Sequence, residues 1–223
     1  MPTLDRQDDV FILDLGDTEN RFHPDWLAAV GTALDEVEKA DSPKALVTTA
    51  TGKFYSNGLD LDWLGANGGE FQDYAIAVHA LFARVLALPL PTVAALQGHT
   101  FAAGAMLSLA HDFRVMRSDR GFWCLPEVAI SIPFTRAMSA LIQSRLTPRA
   151  AHESMTTGRR YGGEEALAAG IVDHAVAEDA VLPTAVKIAS TLAANAGDTL
   201  GTIKARMYAP ALTLLRDGEN PLG

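Results

Sequence analysis

The chain alternates short apolar runs with amphipathic stretches. Residues 10–15 (Val10, Phe11, Ile12, Leu13, Asp14, Leu15) form an apolar run bounded by polar residues and read as a strand. Pro24 then opens a helix with Trp26, Val30, Ala33, Leu34 and Val37 on one face. Asp41, Ser42 and Pro43 break it, and residues 45–49 read as the next strand. The segment 54–60 fits no regular period. A helix is expected over about 71–88, stopped by Pro89 and Pro91. A strand over 92–96, a turn at Gly98 and His99, an apolar helix ending near Ala110 and a strand over 113–116 follow. Alternating strands and helices define an α/β architecture. From Phe134 onward the strand signal fades into helical segments punctuated by Pro and Gly, so residues 1–133 are expected to form the core and 134–223 a helical extension rather than an independent domain.

Composition narrows the class. The 223 residues are 48% hydrophobic, which excludes wholesale disorder. Lys and Arg number 18 against 27 Asp and Glu, a formal charge of −9, with no basic run, so neither a nucleic-acid backbone nor an anionic membrane is an expected partner. A single cysteine, Cys124, allows no intrachain disulfide and no thiolate metal cluster. The acidic start lacks the basic and then apolar pattern of a signal peptide, and no apolar stretch is long enough to span a bilayer, so a cytoplasmic location is expected.

Most candidate chemistry reads as structural. Ser108, His111 and Asp112 have the residue types of a hydrolytic triad but lie within about one helical turn, whereas triad members converge from separate elements. The six histidines make no H-x-x-x-H pair, so no metal site is expected, and no nucleotide phosphate loop is present. Two segments stand out. One is Phe54-Tyr55-Ser56-Asn57-Gly58-Leu59-Asp60-Leu61, directly after a strand; the other is Gly98-His99-Thr100-Phe101-Ala102-Ala103-Gly104-Ala105, leading into a helix. Both place free backbone N–H groups where developing negative charge could meet them, and their small residues admit a ligand close to the backbone. Each alone reads as an ordinary loop.

In this order they resemble the crotonase (enoyl-CoA hydratase/isomerase) superfamily. Glu19-Asn20-Arg21-Phe22 looks like the family's stretch before its first helix, and residues 54–61 match its first-loop motif. Pro91 to Ala95 with Gly98 and Gly104 match the second-loop region, and Leu125-Pro126-Glu127-Val128 its Pro-Glu site. Thr157-Gly158, Tyr161, Glu165-Ala166-Leu167 and Gly170-Ile171-Val172-Asp173 match the C-terminal pattern. The resemblance implies a spiral of ββα units and an enolate formed from an acyl-coenzyme A thioester, with coenzyme A carried by the substrate and no separate cofactor. It places the oxyanion-holding N–H groups on Leu59 and Ala103. It also places Lys53, Ser56, Asn57, Gly58, Asp60 and Gly104 along the coenzyme and substrate path. Ala102 and Ala103 replace glycines common in the second loop, stiffening it slightly.

Hydratases of the family use two glutamates. Here one position is Met106 and the other Glu127, and a single carboxylate suffices to carry a proton from C2 to C4 of a 3-enoyl thioester. The resemblance therefore implies a Δ3,Δ2-enoyl-CoA isomerase with Glu127 as the catalytic acid–base, as a homotrimer or a pair of trimers. Another crotonase reaction (hydratase, hydrolase or decarboxylase) and a non-catalytic acyl-CoA-binding subunit are the alternatives. Glu127 could also serve merely as an ion-pair partner, for instance of Arg136.

Overall fold

A computed structural model describes residues 1–220. Its first strand is one that the apolar pattern does not reveal. β1 (Thr3–Gln7) is largely exposed and pairs antiparallel with β2 (Val10–Asp14) through a turn at Asp8 and Asp9. An edge strand with one side in water needs no apolar run. Helix α1 (Pro24–Lys39) follows, with Trp26, Val30, Leu34 and Val37 on its buried face.

Three successive units then repeat one plan. β3 (Ala45–Thr49) leads to β4 (Phe54–Ser56) and the helices α2 (Leu61–Ala66) and α3 (Phe71–Ala87). β5 (Thr92–Leu96) leads to β6 (His99–Phe101) and α4 (Ala103–Ala110). β7 (Phe113–Arg117) leads to β8 (Trp123–Cys124) and, after a loop, α5 (Arg136–Arg145). The first strand of each unit joins a large sheet of order β1-β2-β3-β5-β7-β9, parallel except for the β1–β2 hairpin. The second strand joins a small parallel sheet of order β4-β6-β8. Chain progress is thus a spiral, with one turn per ββα unit.

The remaining elements are α6 (Pro148–Thr157), α7 (Gly163–Ala168), β9 (His174–Val176), α8 (Val181–Leu192), α9 (Asp198–Met207) and α10 (Ala209–Leu215). The stretch after residue 133 is mainly helical and is woven into the core. β9 pairs with β7, Val115 opposite His174 and Met116 opposite Ala175. Helix α8 lays Val181, Ala185 and Ala189 against Val47, Val93, Ala95 and Val115, while Leu46, Ala94, Leu96 and Met116 face the larger core under α1, α3 and α4. Successive strand residues therefore feed opposite faces, and both faces are covered, which is why these strands read as unbroken apolar runs. A three-residue strand such as β9 is too short to show a period. Among the described residues no helix is long and apolar enough to cross a membrane.

Candidate active site

Because β4, β6 and β8 lie side by side and run parallel, the segments that follow them emerge together at one end of the small sheet. Those segments carry Leu59, Ala103 and Glu127. With Met106, Asn57 and Pro126 they line one cavity of about 540 Å³.

The first turn is held from behind. Asn20, with φ of 48°, donates its side-chain amide to the carbonyls of Gly16, Phe54 and Tyr55, each at 3.1 Å. The Ser56 hydroxyl donates to Asn20 O at 2.8 Å and accepts from Gly58 N at 3.1 Å. The Gly58 carbonyl accepts from Phe22 N at 2.9 Å. In a trans peptide the N–H points opposite the C=O, so anchoring the Gly58 carbonyl inward turns the Leu59 N–H outward. The second turn works in the same way. The Ala102 carbonyl accepts from Met106 N at 3.0 Å inside α4, which leaves the Ala103 N–H projecting from the helix N-terminus. Among the described residues neither the Leu59 nor the Ala103 N–H has an intramolecular acceptor.

Close packing demands the glycines here. Gly58 has φ of +85°, and a Cβ on it would lie 2.8 Å from Ala103 N and 2.9 Å from Ala102 Cβ. A Cβ on Gly104 would lie 2.6 Å from Ser56 O. Real side chains cannot sit at those distances, so the two donor turns abut only because both positions are glycine. Ala102 holds φ of 51° and ψ of −125°, a strained conformation for an L-residue, and its N–H is fixed on Cys124 O at 3.0 Å.

Glu127 enters from the third segment. Pro126 O accepts from Ala129 N at 2.8 Å, and Glu127 O accepts from Ile132 N at 3.1 Å, so tight turns fix its backbone. The residue is 6% exposed, and its Oε2 has no hydrogen-bonding partner. Removal from water pushes its carboxyl from the ordinary 4.5 up to about 7, against a smaller lowering by its own backbone N–H. Among the described residues no arginine pairs with it: Arg136 is exposed, and Oε2 stays unpaired. Met106, which lines the same cavity, is buried and apolar.

The structure separates the other expected residues. Asn57 lines the cavity, and Gly58 stands directly behind it. Ser56 is fully buried with its hydroxyl engaged in the turn, and Gly104 faces Ser56, so both shape the wall from behind. Asp60 caps α2, accepting from Trp63 N at 3.1 Å, while its own N–H donates to the Tyr74 hydroxyl at 3.0 Å. Lys53 is exposed outside the cavity, its Nζ 5.3 Å from the Phe54 ring centre. Several further lining residues were not among the expected site residues. Arg21, paired with Asp62, and Arg160, Phe54, Phe101 and Met138 also line the cavity. Arg21 and Arg160 fall inside family-like motifs; nothing marks Met138.

Ser108 and His111 serve structure. Ser108 donates to Ala105 O at 2.7 Å and accepts from Trp123 Nε1 at 3.1 Å. The Leu107 carbonyl can only accept, so His111 Nδ1 carries the proton to it at 2.9 Å; Nε2 then accepts from the Thr48 hydroxyl at 2.9 Å. Burial pushes the His111 imidazole down to about 4, keeping it neutral.

Fold and site together define a two-sheet ββα spiral whose apolar cavity sets one buried carboxyl beside two outward backbone donors. Residues 6–217 match the family model described as enoyl-CoA hydratase/isomerase, and the chain belongs to that family. It is 39% identical over 220 residues to enoyl-CoA delta isomerase 3 of Arabidopsis thaliana, covering 93% of this chain and 92% of that protein. It is 37% identical over 221 residues to that plant's peroxisomal enoyl-CoA delta isomerase 2, with the same coverage. A probable enoyl-CoA hydratase from Mycobacterium tuberculosis H37Rv superposes with a TM-score of 0.90 at 30% identity, over 97% of this chain and 92% of that one. The fold is the crotonase spiral. The expected cytoplasmic location does not stand, because a relative this similar carries a peroxisomal name.

Proposed function

We infer that the protein is an acyl-CoA thioester enzyme, a Δ3,Δ2-enoyl-CoA isomerase. The observation that carries this reading is one buried, unpartnered carboxyl in a cavity that the apolar Met106 also lines. The Leu59 and Ala103 N–H groups receive the thioester oxygen. As charge develops there, preorganised donors in a water-poor site stabilise it by about 3–4 kcal/mol each. Glu127, ionised, takes a proton from C2; the electrons spread over a dienolate, and the same carboxyl returns the proton to C4. The C2–H bond breaks, a C4–H bond forms, and the double bond moves from C3–C4 to C2–C3. No oxidant, reductant or separate cofactor enters. Hydration would need a second group to handle water, and Met106 supplies none.

The coenzyme portion lies beside Asn57, which lines the cavity, and Asp60 next to it. Lys53 reaches its phosphates from outside, and Ser56, Gly58 and Gly104 hold the path open. Assembly as a trimer, or as two trimers, is supported by apolar side chains left in water, notably Phe122, Ile203 and Met207; light scattering that returns a monomer at micromolar concentration removes that part. Glu127→Gln tests the chemistry. It should bind a saturated acyl-CoA as wild type does and lose isomerisation by ~100-fold or more. Near wild-type turnover would take Glu127 out of the mechanism.

A further inference from the structure

Leu59 sits between two pinned peptides. The carbonyl before it, on Gly58, accepts from Phe22 N at 2.9 Å. The N–H after it, on Asp60, donates to the Tyr74 hydroxyl at 3.0 Å. A residue has only two soft dihedrals, and fixing the peptide planes on both sides holds both of them. The direction of the Leu59 N–H is therefore set by Phe22 on one side and by Tyr74 on the other.

Both anchors lead back to α3. Phe22 lies flat on Trp26, ring centres 4.7 Å apart, and meets Phe82 of α3 edge-on at 6.2 Å. Tyr74 stands near the start of α3 and is 4% exposed. Its ring centre is 5.2 Å from that of Trp63, whose backbone N–H donates to Asp60 Oδ1 at 3.1 Å. Asp60, Trp63 and Tyr74 thus close a triangle, and the ring that supplies the hydroxyl is itself held by the segment it anchors. Burial pushes the phenol up to about 12, so the hydroxyl stays protonated at neutral pH. Tyr74 borders the groove of about 480 Å³ between α1 and α3 and is not among the residues lining the cavity of Glu127.

We propose that Tyr74 is a positioning residue of the oxyanion site, its hydroxyl holding the Leu59–Asp60 peptide so that the Leu59 N–H stays aimed at the thioester oxygen. This rests on the isomerase reading and on Leu59 as one of its two donors. A donor of this kind acts by being fixed before charge develops, so a small swing of the peptide should cost rate and leave binding nearly unchanged.

Tyr74→Phe removes the hydroxyl and keeps the ring. Asp60 is partly exposed, so water can take over its N–H and the variant should fold. It should lower kcat for a 3-enoyl-CoA about tenfold or more, with KM within about threefold of wild type. Val78→Ala, one turn further along α3 at a buried position, loosens the same helix, leaves the hydroxyl in place and should keep kcat. A second readout needs no turnover. Octanoyl-CoA isotope-labelled at the thioester carbonyl should show, when bound to the wild type, an infrared C=O band below that of the free thioester. In Tyr74→Phe the band should move back toward the free position, and in Val78→Ala it should stay. Wild-type kcat in Tyr74→Phe, equal losses in both variants, or a fall in kcat without movement of the band would overturn the proposal. A wild type that isomerises nothing, yet whose lowered band returns in Tyr74→Phe, would sink the reaction assigned above and leave the role of Tyr74 standing.

Discussion

A carboxyl taken out of water resists ionisation, and at Glu127 that resistance sets a cost in stability and, in the mechanism proposed above, a working pH. Burial places it at about 7, so the basic form needed to remove a proton is a minority below that pH. Isomerase kcat/KM should rise about tenfold per pH unit up to roughly 7 and level off above it; a flat profile between pH 5.5 and 8 would contradict the assignment. Stability moves in the opposite sense. With the folded value raised from 4.5 to about 7, the native state holds more protons than the unfolded one across that window, so stability falls as pH rises through it. Glu127→Gln removes the ionisable group and should stabilise the protein at pH 8 by on the order of 2–3 kcal/mol, with the gain vanishing near pH 4.5. Denaturant unfolding at the two pH values measures the difference.

At the scale of elements, the candidate site is two turns pressed together at Gly58 and Gly104. Gly58→Ala puts a Cβ 2.8 Å from Ala103 N at a φ of +85° and must push the turns apart. The expected result is a loss of about 100-fold in kcat with little change in KM, the scale of one missing oxyanion donor. Ala102→Gly acts oppositely. It relieves an alanine held at φ of 51°. Positive-φ strain of ~1–3 kcal/mol outweighs the ~0.4–1 kcal/mol entropy of an added glycine, so the melting temperature should rise by roughly 2–4 °C. A lower melting temperature would show that the strain is not there. The spacing of Gly58 and Gly104 was readable in the sequence, as was the Pro-Glu pair at 126 and 127. The role of Asn20 was not: a buried amide that bonds three carbonyls from a left-handed position has no periodic signature.

For the whole molecule, β2, β3, β5 and α1 could be read because each buries enough apolar surface to impose a period. β4, β6 and β8 span two or three residues each and could not be, although they gather the three site segments. β1 hid because it faces water, and β9 because it is short; without β9 and α8 the second half looked more peripheral than it is. Arg21, Met138 and Arg160 reach the cavity from segments more than a hundred residues apart in the extreme case, so only the closed spiral brings them together. The central claim is that one carboxyl facing an apolar wall moves a proton and does not add water. It is tested most directly by giving one purified sample 3-enoyl-CoA and 2-enoyl-CoA of the same chain length. Isomerisation of the first should exceed hydration of the second by ~100-fold or more. Hydration at a comparable rate, or no isomerisation beside robust hydration, would contradict it.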